Sequence, residues 1–190
     1  NFSPLYPGAV SLFINSMNKL SNYSEQITVF GSTNLSEKFS NNYVNIELKK
    51  SFLKSQTRDY VNKFVELHKN QNTDIIEIHN RPNYVDAINE NLNSKIILYF
   101  HNNPLTISGS KSKSERSILL KKCEYIVFNS AWTKNQFFKD LNENDYTLKY
   151  GICHQSTSKV KVNLSKKKNI ITFVGKLNSA KGYDIFGQTI

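Results

Sequence analysis

Apolar positions along the chain follow two periods. Short runs rich in β-branched and aromatic residues stand at 27–30, 43–48, 74–79, 95–100, 124–128 and 169–174, each closed by polar turn residues. Such runs predict strands. Between them lie stretches of helical period. In residues 9–20, Val10, Phe13, Ile14, Met17 and Leu20 share one face, as do Tyr60, Val61, Phe64, Val65 and Leu67 within 57–69. Both segments predict helices with an apolar face turned to a core. A third helix is predicted over 130–141, where Ser130 is placed to cap the free N–H groups while Ala131, Trp132 and Thr133 open the first turn. Buried-looking strands alternating with amphipathic helices predict an α/β fold, a Rossmann-like doubly wound parallel sheet.

That architecture makes a geometric statement about chemistry. Open parallel sheets hold their ligands at the carboxyl ends of the strands. His79, His101 and Ser130 each follow the end of a different predicted strand, so they are expected on one rim. The pattern lapses after Lys149. Residues 1–150 therefore read as one domain, 151–168 as a polar, basic linker, and 169–190 as a fresh strand, a turn at Gly175 and the start of a helix from Ala180. A lone strand and part of a helix cannot bury their own apolar faces. At the other end a Pro-containing loop runs straight into a helix with no strand before it. Both features predict that the chain is a piece of a longer protein.

Composition narrows the classes further. With 38% hydrophobic and 21% charged residues, but only 7 Gly and 4 Pro in 190, disordered and collagen-like readings drop out. No run approaches the roughly 18–20 apolar residues that a spanning helix needs, and no signal-peptide pattern opens the chain. A soluble, cytoplasmic protein is expected. Cys123 and Cys153 have no Cys-x-x-Cys partner, so neither a disulfide framework nor a thiolate zinc site is implied. The net charge of +10 favours anionic partners, phosphates first. Its lysines are scattered or in short runs, without the basic helix or aromatic-interleaved stripe of a nucleic-acid binder. Nucleic acid is not expected as a partner, whereas an anionic membrane surface at the inner face is compatible with the charge.

The most specific run is Phe173-Val174-Gly175-Lys176-Leu177-Asn178-Ser179-Ala180-Lys181-Gly182. It resembles the strand, turn and helix start that open the second domain of family 4 retaining glycosyltransferases. Other places agree: Pro7-Gly8-Ala9 resembles the family's glycine-rich loop before the first helix, and Ile78-His79-Asn80-Arg81-Pro82 its His-Asn-Arg-Pro strand end. Phe100-His101-Asn102-Asn103-Pro104 is similar to the next strand end, and Asn129-Ser130 to the one after. The resemblance covers essentially the whole chain. It implies the GT-B arrangement of two facing Rossmann-like domains, with this chain supplying the acceptor-side domain and the first strand and helix of the donor side.

What the resemblance implies for chemistry is retaining transfer of a sugar from a nucleotide diphosphate sugar to a carbohydrate or lipid-linked acceptor. Gly8, Lys176 and Lys181 would meet the donor phosphates. His101 would be the catalytic-site residue, hydrogen-bonding the sugar or its phosphate near the reacting carbon. His79, Asn80, Arg81, Asn102, Asn103 and Ser130 would contact acceptor or sugar. No cofactor and no metal are implied. The family's acidic donor-binding pair falls beyond Ile190, so these residues alone are expected to lack activity. Lys176 stands where the family has Arg, and Cys153 where many members have an acid. Two other classes stay open: a non-catalytic phosphate-binding or scaffold module, and a nucleotide-sugar epimerase, although the latter should show a Gly-x-Gly-x-x-Gly turn that is missing here. There is also no nucleophile elbow, zinc helix or phosphate loop.

Overall fold

The computed structural model describes residues 2–48, 55–147, 149–156, 170–175, 177 and 179–189, with no side chain for Ala180. Strands β1 (Val29–Gly31) and β2 (Tyr43–Asn45) pair in parallel as a two-stranded sheet. Strands β3 (Ile75–His79), β4 (Lys95–Phe100), β5 (Tyr125–Phe128) and β6 (Lys149–Ile152) form a second, four-stranded, all-parallel sheet in the order β3-β4-β5-β6. Parallel neighbours need crossovers, and in the larger sheet helices supply them. α1 (Ala9–Leu20) and α2 (Gln56–His68) precede the larger sheet, and α3 (Val85–Asn91), α4 (Lys113–Lys122) and α5 (Ala131–Phe137) connect its strands. The fold is α/β, as the periodicity predicts.

The core lies against the larger sheet. Ile76, Ile78, Ile96, Leu98, Phe100, Ile126 and Phe128 from the strands pack with Val61 and Phe64 of α2, Val85 and Ile88 of α3, Leu119 and Leu120 of α4, and Phe137 of α5. β4 is buried over Leu98, Tyr99 and Phe100 in succession, as a strand covered on both faces should be. β3 alternates instead: Ile76 and Ile78 face the core while Glu77 and His79 lie on the other face. That alternation carries the polar side chains discussed below.

α4 begins with a capping box. Ser112 Oγ accepts from Glu115 N at 3.2 Å and the Glu115 carboxylate accepts from Ser112 N at 2.8 Å. Gly109 sits at φ +92°, and a Cβ there would come within 2.6 Å of the Asn83 nitrogen, so the loop between β4 and α4 can only close on α3's approach with glycine.

Several expectations are corrected. The helix predicted over 130–141 ends at Phe137, and Asp140 beyond it takes a left-handed conformation at φ +63°. Residues 151 and 152, expected as linker, belong to edge strand β6, whose residues are all at least partly exposed and so leave little hydrophobic period. α1 has its predicted bounds, but it adds no residue to the main core: Met17 and Leu20 are exposed and the only buried residue is Asn18. From α1, Phe13 packs instead on the rings of His79, Tyr99 and His101. The predicted strand 169–174 is not formed over the described residues 170–174, where Ile170, Ile171 and Val174 are exposed. An apolar run without a paired neighbour has no ladder to make.

By contacts the chain divides into two units, Asn1–Gln155 and Ser156–Ile190. In the second, a 3-10 turn over Ser179–Lys181 leads through Gly182 into α6 (Tyr183–Thr189), and Phe173 packs on Tyr183 and Phe186. Most of residues 151–168, the expected linker, lie outside the described residues. Among the described residues no helix is long and apolar enough to cross a membrane.

Candidate functional site

The carboxyl ends of β3, β4, β5 and β6 bring together the histidines that the sequence places on a rim. His79 is the last residue of β3, and His101 follows the last residue of β4. The register pairs His79 with Tyr99, which sets His101 one step beyond. His79 Nδ1 and His101 Nε2 are 2.8 Å apart, a hydrogen bond between two imidazoles. His79 Nε2 lies 3.0 Å from Glu77 Oε1, and His101 Nδ1 lies 2.9 Å from Gln155 Nε2. Glu77, His79, His101 and Gln155 thus form one continuous hydrogen-bonded row.

Two asparagines hold His101 by its backbone. Asn80 Oδ1 accepts from His101 N at 2.8 Å, and Asn129 Nδ2 donates to His101 O at 2.8 Å. Asn80 achieves this from a left-handed conformation, φ +53°, which Asn tolerates better than most residues. Ring contacts then fix the imidazole plane. Tyr99 stacks on His101 with centroids 4.3 Å apart and planes 12° apart, while Phe13 of α1 meets the ring edge-on at 5.2 Å. The Tyr99 hydroxyl donates to Cys153 O at 2.6 Å, which ties the end of β6 to the same cluster.

The electrostatics follow from this enclosure. His101 is 7% exposed. Burial first, and the neighbouring His79 second, pull its pKa from 6.5 down to about 4, against the opposing pull of Glu77. At neutral pH the ring is uncharged. Burial works to raise the pKa of Glu77, but the hydrogen bond and charge of His79 outweigh it and hold the carboxyl below its ordinary value. Burial also lifts the Tyr99 phenol well above its usual range, and drives the Cys123 thiol up to about 12, where it is inert as a nucleophile.

A stability prediction follows with a definite sign. The folded His101 takes its proton near pH 4 and the unfolded one near 6.5, so the unfolded chain binds more protons between those values. Stability is therefore expected to fall as pH is lowered from 6.5 to 4, by about 3 kcal/mol. Glu77 adds loss in the same direction below its ordinary 4.5. Urea unfolding across this range should show the slope, and His101→Gln, which cannot titrate, should flatten it. Equal slopes in the two proteins would contradict the assignment.

The other sequence-predicted residues have more local duties. Arg81 Nη1 donates to Asn80 O at 2.9 Å and forms no ion pair with an acid among the described residues. Asn103 caps a 3-10 turn by accepting from Leu105 N, and Asn102 is exposed. Ser130 caps α5 through Thr133 N at 3.2 Å, as predicted, and its hydroxyl also bonds Thr133 and Asn129. Gly8 is the exposed N-cap residue of α1. A Cβ there would touch only Ser11 Oγ at 3.7 Å, so the fold itself does not demand glycine. Lys181 is exposed in the second unit; Lys176 lies outside the described residues.

Glu77, Asn129, Tyr99 and Gln155 were not singled out from the sequence as site residues. Glu77 carried a legible signal, since in a strand it must share the face of His79 two positions on. Gln155 carried none, because it falls in the polar stretch beyond β6. A separate open cleft of about 520 Å³ is lined by Thr33, Asn34, Lys38, Asn45 and Glu47 among others. Its lysine is committed to the carbonyls of Thr33 and Leu35, so it offers less chemistry than the histidine row. No group of three or more His, Cys, Asp or Glu side chains is placed to hold a metal ion among the described residues. Comparison with family models, with curated proteins and with solved structures finds no significant match.

Proposed function

We propose that the chain is the acceptor-side, Rossmann-like part of a retaining GT-B glycosyltransferase, together with the start of its donor-side domain. One observation carries the reading: a buried, hydrogen-bonded histidine pair stands at the carboxyl rim of an all-parallel sheet, at the strand ends where the family resemblance places sugar-contacting histidines. His101 contacts the transferred sugar. Lys176 and Lys181 meet the diphosphate of a nucleotide sugar. Charge grows on that leaving group as its bond to the sugar breaks, so cations there stabilise the transition state more than the ground state. Asn80 and Asn129, whose side chains hydrogen-bond the His101 backbone, help hold the residue in place.

The test is release of nucleoside diphosphate from a panel of nucleotide sugars by the natural gene product. Lys176→Ala and Lys181→Ala should each lower kcat roughly tenfold, the equivalent of about 1.4 kcal/mol at the transition state. Unchanged turnover in both would remove the donor-phosphate role. Donor binding without any release would favour the non-catalytic binding module.

A further inference from the structure

With both imidazoles neutral, the row Glu77–His79–His101–Gln155 has a direction, and its carboxylate end fixes it. An ionised carboxylate only accepts hydrogen bonds, so His79 Nε2, 3.0 Å from Glu77 Oε1, carries a proton. In a neutral His79 the remaining nitrogen, Nδ1, is a lone pair. The bond at 2.8 Å to His101 Nε2 then requires the proton to sit on His101. His101 Nδ1 is left as a lone pair, and the Gln155 amide nitrogen, 2.9 Å away, is the donor that satisfies it. Every bond in the row is satisfied with both rings neutral.

We propose that Glu77 and His79 are positioning residues that lock His101 in its Nε2–H tautomer, so that Nδ1 receives a hydroxyl of the bound sugar in place of the exposed Gln155 carboxamide. The sugar rests on the glycosyltransferase reading above; the tautomer does not. The substitution is chemically selective. A sugar hydroxyl donates to the lone pair as the Gln155 amide does, whereas the oxygens of an ionised diphosphate only accept and are repelled by it. His101 therefore reads the sugar and not the phosphate. Turning the ring to present its other nitrogen would break its stacking on Tyr99 and its edge contact with Phe13. The low proton affinity of the buried ring keeps the lone pair free through neutral pH.

Long-range nitrogen–proton NMR spectra of the 190-residue chain at pH 7 test the lock directly. Both His79 and His101 should show a protonated Nε2 and an unprotonated Nδ1. A protonated Nδ1 on His101 in the unsubstituted chain overturns the proposal. Glu77 is half-exposed, so Glu77→Ala should fold while releasing the row, and His101 should become a tautomer mixture. Glu77→Gln, whose amide oxygen still accepts from His79 Nε2, should restore the single form. A His101 tautomer unmoved by Glu77→Ala also overturns it. Inorganic diphosphate added to the chain should leave the His101 Nδ1 resonance in place, and a shift would show phosphate being received there.

In the natural gene product, Glu77→Ala should lower kcat/KM for sugar transfer roughly ten- to a hundredfold, the scale for losing a partner behind a functional imidazole. A locked tautomer in a protein without any sugar transfer leaves the lock standing and removes the glycosyltransferase reading. Sugar transfer with the opposite tautomer does the reverse.

Discussion

Arg116→Ala is expected to lower the unfolding free energy by about 3–5 kcal/mol, the combined cost of leaving carbonyls without their donor and of emptying a buried side-chain volume. Arg116 is 2% exposed although it carries the bulkiest polar side chain in the interior. Its Nη1 donates to the carbonyls of Ser110 and Lys111 at 3.3 and 2.8 Å, and its Nη2 to that of Lys139 at 2.7 Å. Ser110, fully buried, in turn donates to Pro104 O at 2.6 Å. The guanidinium thus ties the loop that leaves the His101 strand end to the turn after α5. Deleting it orphans three buried or half-buried carbonyls and opens a void. Burial lowers the proton affinity of the guanidinium, and Asp140 and Glu115 offset only part of that. Arg116→Lys should fall between, since one ammonium cannot span carbonyls that a planar fork reaches from two nitrogens. Urea midpoints with an unchanged m-value measure both variants. A loss below about 1 kcal/mol for Arg116→Ala would show that water replaces the guanidinium at no great cost.

On the glycosyltransferase reading proposed above, His101→Ala is expected to cut kcat for sugar transfer in the natural gene product about a hundredfold, with a smaller rise in KM. The imidazole is uncharged, so its contribution is orientation. A ring clamped by Asn80, Asn129, Tyr99 and Phe13 presents a hydrogen-bonding atom at one fixed point. Loss of that point lets the sugar settle away from the attack geometry, and displacements near 1 Å are worth about a hundredfold. Circular dichroism and the urea midpoint separate this effect from unfolding, because removing a ring between two aromatic neighbours also leaves a cavity. A variant that is folded, retains kcat within twofold and raises KM would mean His101 binds ground state and transition state alike. Full retention of both constants would remove His101 from the site and strengthen the scaffold alternative.

Element type was written in local periodicity wherever an element is buried on at least one face. Five of the predicted runs overlap β1, β2, β3, β4 and β5 within a few residues, and α1 carries its predicted bounds. The Ser130 cap was legible because capping is a contact between residues three apart. The Ser112–Glu115 capping box was equally local, and attention to that spacing alone would have placed the start of α4. β6 escaped because Lys149-Tyr150-Gly151-Ile152 is only four residues long and holds a lysine and a glycine, too few β-branched or aromatic positions to stand out as a run. The run at 169–174 misled for the complementary reason: apolar character gives a segment the capacity to be a strand, and only a neighbouring strand makes it one.

By itself, then, the sequence determined which residues are apolar at which spacing, and hence an α/β chain with histidines at two strand ends. Whether those histidines meet was decided by the tertiary structure. Their contact depends on the register of β3 against β4, and a slip of one residue would turn Glu77 and His79 to the opposite face. Register is set by the burial of Ile76 and Ile78 against a core assembled from α2, α3 and α4. The depressed proton affinity of His101 has the same origin. An imidazole in water takes up its proton near pH 6.5, and it stays a neutral acceptor down to about pH 4 only when β3, β4, α1 and the stretch after β6 enclose it.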